Sequence, residues 1–469
     1  MAGVRTLKTG ISGVRGVVGD SLTPHLLVSF AEAFGTYLGG GTIAIGRDTR
    51  PSGEMVRSAL VGGLLATGCN VVDLGIVPVP TLQIACARNR EIGGGIAITA
   101  SHNPQEWNAL KFIRFDGIFL YPHQVEELLN VYHQGEFSLC GNSQVADVVI
   151  DQHAVDRHIE ELLANVDVSA IAEADLRVVV DCCNGAGSVV SKRLLTELGC
   201  RVVAINDTPD GIFPHMPEPV PEHLQQLEAA VRQHNADIGM AQDADADRLA
   251  LVNECGKAVG EEYTLALAAE VVAARRGPIP LVANIVTSRM LEEVAARYDC
   301  PVHRSPVGEV NVVMAMQQAA QQFKRTGQTS EDDHVFGGEG NGGVIDPRIH
   351  YCRDSLRAMC LILEGLARHG QPLSHWIAQA FGASAITKQR VECPAARLQP
   401  VMLALREEYA DQQLDLTDGI LVRWPDRSWV QARPSNTEPI MRVTAEADDR
   451  QHAEALAERA VKVIRGVVG

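Results

Sequence analysis

Three related α/β domains in tandem, followed by a smaller α+β domain, are the architecture this sequence predicts. The first observation is a plan that recurs three times: apolar strand, polar turn, amphipathic helix, a short step carrying a cysteine, and a second apolar strand. Strand–helix–strand units of this length make right-handed crossovers and a largely parallel, mixed sheet. The second observation is that the C-terminal stretch breaks the plan, with neighbouring strands and helices grouped apart, as in α+β domains. The third is length, since 469 residues suggest roughly three or four domains of about 100–200 residues each.

The first repeat runs from the strand TIAIG through a helix at Ser52–Thr67 to Gly68-Cys69 and VVDLG. The second runs from LRVVVD through Gly187–Leu198 to Gly199-Cys200 and VVAIN. The third runs from PLVANIV through Ser288–Tyr298 to Asp299-Cys300 and PVHR. After the Gly370-Gln371-Pro372 break come a helical stretch, VECP, a helix around Arg397–Tyr409, the strands GILVRW, SWVQAR and PIMRVTAEA, and an amphipathic helix from Asp449 to about Ile464. Domain spans of 1–147, 148–254, 255–370 and 371–469 follow, the first junction lying in the polar stretch Ser138–Asp147.

Composition narrows the function. Lys and Arg number 41 against 58 Asp and Glu, a formal charge of −17, which disfavours nucleic-acid binding because that requires basic patches to displace counterions. The 11 cysteines show no CxxC spacing and read as reduced thiols, pointing to a cytoplasmic protein. The glycine-broken N-terminus is no signal peptide, and no apolar run is long enough to span a bilayer.

Chemistry concentrates in a few segments. Thr99-Ala100-Ser101-His102-Asn103-Pro104 follows the buried-strand pattern GGGIAIT, which delivers a serine to a loop with a histidine beside it. A serine hydroxyl needs a base or a metal to act as a nucleophile. Asp243, Asp245 and Asp247 alternate, so an extended backbone projects all three from one face. Two carboxylates about 4 Å apart repel by roughly 4 kcal/mol at an effective dielectric near 20. The cluster therefore asks for a cation, solvent or protonation, and Mg²⁺, an oxygen-seeking ion that keeps places for water or phosphate, fits it best. An EF-hand is excluded by Arg248 at the position that needs glycine and by strand-like flanks, although Glu254 stands at the twelfth position. Arg248 suits a bidentate grip on phosphate, or serves as counter-ion to the aspartates.

Arg433-Pro434-Ser435-Asn436-Thr437-Glu438-Pro439, between two strands, gathers an arginine, two hydroxyls, an amide and backbone N–H groups. That set matches the acceptor oxygens of a phosphate. Gly337-Gly338-Glu339-Gly340-Asn341-Gly342-Gly343 is a loop in which only Glu339 and Asn341 offer hydrogen-bonding side chains, suited to sugar hydroxyls. Asp181-Cys182-Cys183-Asn184-Gly185-Ala186-Gly187 looks like a dinucleotide fingerprint but has Val190 in place of the third glycine; it reads as a tight strand-to-helix turn. Gly46–Gly53 lacks the GK[ST] of a P-loop and reads as support for the serine loop. Serine, triple aspartate and phosphate loop together point to phosphoryl transfer through a phosphoserine.

With TGISGVRG, TASHNP, DADADR, GEGNGG and RPSNTEP in this order, the chain resembles the α-D-phosphohexomutase family over nearly its whole length. Within that family it is most similar to the phosphoglucosamine mutase group, particularly the archaeal-type branch. The resemblance implies three α/β domains and an α+β domain around a central cleft, with Ser101 as the phosphoserine. It implies Mg²⁺ on Asp243, Asp245, Asp247 and the phosphorylated Ser101, sugar selection by Glu339 and Asn341, and substrate phosphate on Arg433, Ser435, Asn436 and Thr437. Arg15 and Lys111 match positions tied to proton transfer and the active loop, and His102, beside the serine, and Arg248, after the aspartates, complete the candidate catalytic set. The implied reaction moves phosphate between C6 and C1 of a hexose phosphate, glucosamine 6-phosphate foremost, with a hexose 1,6-bisphosphate as intermediate and activator. A phosphomannomutase/phosphoglucomutase of the same mechanism is the alternative; a metal-dependent sugar phosphatase and a non-catalytic sugar-phosphate sensor are more remote ones. The partner is a small phosphosugar, and the protein itself is a monomer or homodimer. The family's metal loop carries glycine where Ala244 stands here, at a cost of roughly 1 kcal/mol if that residue needs positive φ.

Overall fold

A computed structural model describes residues 7–10, 13–325, 334–435 and 439–469. The chain divides into two compact units, Met1–Val271 with Asn341–Ser374, and Val272–Gly340 with His375–Gly469.

In the first unit, Thr42–Arg47 pairs in parallel with Asn70–Ile76, as the first repeat predicts, and on its other side with Ile92–Ile98, also in parallel. Trp107–Arg114 returns antiparallel to Ile92–Ile98, and Gly13–Val17 then pairs antiparallel with it. Val148–Ile150 adds a parallel strand beside Asn70–Ile76. The helix Pro24–Leu38 starts where the Thr23 hydroxyl accepts the Leu26 N–H, and it ends at Gly39 with φ 71°, an N-cap and left-handed C-cap in the usual places. Its apolar face buries Leu27, Phe30 and Phe34; Phe34 meets Phe112 at 4.9 Å between ring centres. The second repeat appears as Arg177–Asp181 parallel to Arg201–Ile205. Ile238–Gln242 and Leu249–Asn253 pair antiparallel next to it. These strand ends position the chemistry: Ile92–Ile98 runs directly into the serine loop, and the Ile238–Gln242/Leu249–Asn253 pair closes around the aspartates.

The helix Ser355–His369 is buried along most of its length. Asp354 caps it through the Leu356 N–H and also meets His158 Nε2 at 3.0 Å, while His158 Nδ1 lies 2.9 Å from the Thr81 hydroxyl. Nearby His350 is 7% exposed, and burial first of all pushes its pKa down to about 4 from an ordinary 6.5. Between these values the unfolded chain binds a proton that the folded chain does not, so stability rises with pH across the window. The contribution is complete at neutral pH and lost on acidification, in total roughly 3 kcal/mol. Urea midpoints are therefore expected to fall from pH 6.5 to 4, with the slope reduced in His350→Gln. An identical slope in that variant would contradict the assignment.

In the second unit, Leu281–Asn284 pairs in parallel with Val302–Ser305 and with Phe336–Glu339, and the helix Met290–Tyr298 makes the third repeat's crossover. The C-terminal sheet is antiparallel, in the order Ala385–Glu392, Ile440–Ala447, Trp429–Pro434, Ile420–Arg423, Leu414–Asp415. Val401, Leu405, Ala457 and Val461 of the helices Leu398–Glu408 and Arg450–Val468 share a core with Val430, Met441 and Val443 of that sheet. The last helix extends past Ile464 to Val468. Fully buried Glu446 accepts from the Ser384 hydroxyl, the Arg289 N–H and Trp429 Nε1, which compensates its desolvation. Among the described residues no helix is long and apolar enough to cross a membrane.

Candidate active site

Ser101 is 3% exposed and holds a left-handed backbone with φ 50°, a conformation that costs a non-glycine residue of the order of 1 kcal/mol. The surrounding loop enforces it. Buried Arg50 spends its guanidinium on four backbone carbonyls: Ser101 and Asn103 at 2.7 Å each, Pro104 at 2.5 Å and Trp107 at 3.0 Å. Asp48 receives Arg50 Nε at 3.0 Å and the Thr99 hydroxyl at 2.6 Å, and Thr99 Oγ1 accepts the Ser101 N–H. The Gly46–Gly53 segment is thus the serine loop's scaffold. Arg15 donates to Asn103 Oδ1 at 2.6 Å, and His102 Nδ1 stands 3.4 Å from Ser101 Oγ.

The Ser101 hydroxyl donates to Asp243 Oδ2 at 2.9 Å, so residues 142 positions apart share one site. Asp243, Asp245 and Asp247 are all buried, and each offers a carboxylate oxygen within 4.8 Å of the others. The backbone that achieves this is not the extended one expected from the alternation. It is a turn in which the Ala246 N–H bonds the Asp243 carbonyl at 3.1 Å, while Asp243 Oδ1 accepts the N–H groups of Asp247 and Arg248. An extended segment would leave those buried N–H groups without acceptors. Positive φ falls at Ala246 (55°), and Ala244 is absent from the positive-φ residues, so the glycine-to-alanine departure carries no left-handed strain. The fingerprint-like turn serves this loop: a Cβ on Gly185 would lie 2.7 Å from the Ala244 carbonyl oxygen, and Ala186 N–H donates to that oxygen. Only glycine permits so close an approach.

Partners divide the carboxylate oxygens. Lys111 Nζ takes Asp245 Oδ2 at 2.8 Å, and Arg353 takes Asp247 Oδ2. Asp245 Oδ1 and Asp247 Oδ1 are buried without a hydrogen-bond partner. Burial raises the Asp243 pKa well above the usual range, and the neighbouring Asp247 and Asp245 raise it further. Burial opposes ionisation of Asp245 too, but the Lys111 ammonium outweighs it and holds that carboxyl below its ordinary value. Two buried carboxylate oxygens without hydrogen-bond partners, beside a third carboxyl, form an all-oxygen donor set that fits a hard divalent ion. Arg248 Nε lies 3.8 Å from Asp243 and 3.7 Å from Asp247, too far to hydrogen-bond either, and has no hydrogen-bond partner. The counter-ion reading and the phosphate reading are both compatible with that placement. Glu254, the would-be twelfth EF-hand ligand, instead accepts the Ser374 N–H.

The sugar-loop candidates fall in different units. Buried Glu339 belongs to the second, where its Oε1 accepts from Asn284 at 2.9 Å and from the Gly308 N–H at 3.0 Å. Asn341 belongs to the first, its Oδ1 accepting the Gly343 N–H at 3.2 Å. Arg433 stands 4.0 Å from Asp418, and the Ser435 N–H bonds the Ile440 carbonyl. Asn436 and Thr437 lie outside the described residues. Arg442, on the strand that follows this loop, is the register partner of Arg433. Arg353 was invisible in the sequence: it is 106 positions from Asp247, and no motif links the two.

Family models match the chain in sequence order: phosphoglucomutase/phosphomannomutase α/β/α domain I at residues 6–139, domain II at 156–256, domain III at 260–383 and the C-terminal domain at 390–463. A Methanopyrus kandleri protein named "Probable phosphoglucosamine mutase" is 39% identical over 464 residues, covering 98% of each chain. A Thermococcus kodakarensis protein named "Phosphoglucomutase/phosphomannomutase" is 36% identical over 467 residues, 97% of this chain and 98% of that one. A phosphoglucomutase/phosphomannomutase family protein from Burkholderia thailandensis superposes with a TM-score of 0.83 at 26% identity, over 98% of this chain and 97% of the other. Fold, site and relatives define an enzyme that moves a phosphoryl group within a hexose phosphate. The chain belongs to the phosphoglucomutase/phosphomannomutase family, the α-D-phosphohexomutases.

Proposed function

We propose that the protein interconverts glucosamine 6-phosphate and glucosamine 1-phosphate, through phosphorylated Ser101 and a hexose 1,6-bisphosphate, with Mg²⁺ on Asp243, Asp245, Asp247 and the serine. The observation that carries this reading is the 2.9 Å bond from Ser101 Oγ to Asp243 beside two unpartnered carboxylate oxygens. Mg²⁺ in that set would neutralise charge on the transferring phosphoryl group. Arg50 fixes the serine loop through its carbonyls, and Arg15 steadies the same loop through Asn103. Lys111, 9% exposed at its side chain and bonded to Asp245, is the candidate proton carrier for the sugar hydroxyl, with His102 the alternative. Arg248 holds phosphate through its charged donor. Arg433, Ser435, Asn436 and Thr437 bind the phosphate that stays on the sugar, and Glu339 and Asn341 select the sugar. The returning phosphoryl group re-forms phosphoserine, so the bisphosphate acts as both intermediate and activator. A cytoplasmic setting is part of the reading, supported by an odd number of cysteines, eleven, with no CxxC spacing.

Glucosamine is favoured because a carboxylate at the sugar makes a charge-assisted hydrogen bond to an ammonium. The Thermococcus kodakarensis relative's name supports mannose or glucose phosphate as the second reading. Parallel kinetics on the three 6-phosphates decide between them: the highest specificity constant is expected for glucosamine 6-phosphate, and a higher one for mannose or glucose overturns the choice. Exhaustive chelation is expected to remove activity, with recovery on adding Mg²⁺. Undiminished turnover after chelation would remove the metal from the account.

A further inference from the structure

We propose that Arg353 is a positioning residue that joins the sugar-facing Asn341 to the carboxylate Asp247, so that sugar discrimination runs through this side chain. The proposal rests on the preceding reading of Asn341 as a sugar contact.

Arg353 is 8% exposed, and its guanidinium holds Asp247 Oδ2. Its aliphatic stem then passes directly beneath the sugar loop. A Cβ built on Gly343 would lie 2.4 Å from Arg353 Cδ and 2.9 Å from Cγ, so the stem occupies the space a side chain would need. The same point lies 3.0 Å from Asn341 Oδ1, the atom that accepts the Gly343 N–H. Gly342, with φ +86°, presses on the strand that leaves the metal loop: its carbonyl accepts the Leu249 N–H at 3.0 Å.

Arg353 is itself held from behind. The next residue, Asp354, donates its N–H to the Val344 carbonyl at 2.9 Å and meets His158. The Ser355 hydroxyl donates to the Ala246 carbonyl at 2.6 Å. With its backbone fixed and its head on Asp247, the stem of Arg353 sets the height of Gly343 and hence the aim of Asn341. A long side chain with one end pinned by a charge pair transmits position better than a flexible contact, because less freedom remains to absorb a shift.

The experiment measures binding, by calorimetry, of glucosamine 6-phosphate and mannose 6-phosphate to the full chain carrying Ser101→Ala, which prevents turnover. The readout is the ratio of the two dissociation constants. Asn341→Ala and Arg353→Met are each expected to shift that ratio by about five- to ten-fold, and the double variant by no more than either alone, as for two groups in one chain of contacts. Arg353→Lys, which keeps stem and charge, is expected to stay within about two-fold of the parent. Gly343→Ala attacks the same contact from the sugar loop, shifts the ratio similarly, and stands in if Arg353→Met does not fold. Mn²⁺ titrated into Arg353→Met is expected to bind no more weakly than to the parent, because a cation competing for Asp247 has gone. Additive losses in the double variant, or an unchanged ratio in both Arg353→Met and Gly343→Ala, would overturn the proposal. So would Mn²⁺ binding about ten-fold weaker in Arg353→Met, which would make Arg353 a metal-loop support alone. If Asn341→Ala itself leaves the ratio unchanged, the sugar-contact reading fails and takes this proposal with it, a result distinct from Arg353 failing alone.

Discussion

Replacing Ser101 with alanine is expected to lower mutase turnover by about 10⁴-fold or more, the scale on which loss of a covalent nucleophile is felt. The hydroxyl is the atom that meets Asp243, and no other hydroxyl of the serine loop reaches the aspartates: Thr99 is committed to Asp48. The fold should survive, because the loop is held through the Ser101 carbonyl and N–H, which alanine retains. Circular dichroism and a urea midpoint close to the parent's are the controls. Ser101→Gly should be equally inactive yet slightly more stable, since glycine accepts φ 50° without a Cβ penalty. Turnover near the parent's rate in either variant would end the phosphoserine account.

Arg50→Met is expected to have the second-largest effect, and on stability as well as rate. Its side chain lies among the largest that are fully buried. Removing the guanidinium leaves the buried Asp48 carboxylate without its cation and takes a donor from each of four carbonyl oxygens, of which that of Pro104 keeps the Trp107 N–H. Breaking one side of a buried ion pair costs about 3–5 kcal/mol. The serine loop would then lose the contacts that impose its left-handed turn, so turnover should fall even at temperatures where the variant remains folded. Arg50→Lys should recover little, because a single ammonium cannot span four carbonyls in a planar fork. Normal activity with an unchanged urea midpoint would contradict this role.

These two residues show what was legible in the sequence. Ser101 and the three aspartates stand in short segments flanked by strand patterns, and a loop serine and a carboxylate cluster are conspicuous by residue type alone. The three repeats were equally readable, because strand–helix–strand spacing is local. Arg50 was placed correctly in a supporting loop, but its carbonyl cradle joins positions 51 to 57 apart, and backbone acceptors have no sequence signature. Arg353 was missed for the same reason, since nothing near it names Asp247 as its partner. At the metal loop, the alternating aspartates suggested an extended backbone, but the Asp243 carboxylate gathered two N–H groups and bent the chain into a turn. In that turn the left-handed residue is Ala246 and not Ala244, so the conditional cost of alanine at 244 does not arise.

The central claim is that phosphate travels through Ser101, and labelling tests it most directly. Dephosphorylated protein is mixed for a single turnover with a hexose 1,6-bisphosphate carrying labelled phosphate, then digested and mapped by mass spectrometry. The account predicts label on the peptide containing Ser101 and labelled hexose monophosphate in equal amount. Label on another residue, or its release as inorganic phosphate with Ser101 unmodified, would contradict it.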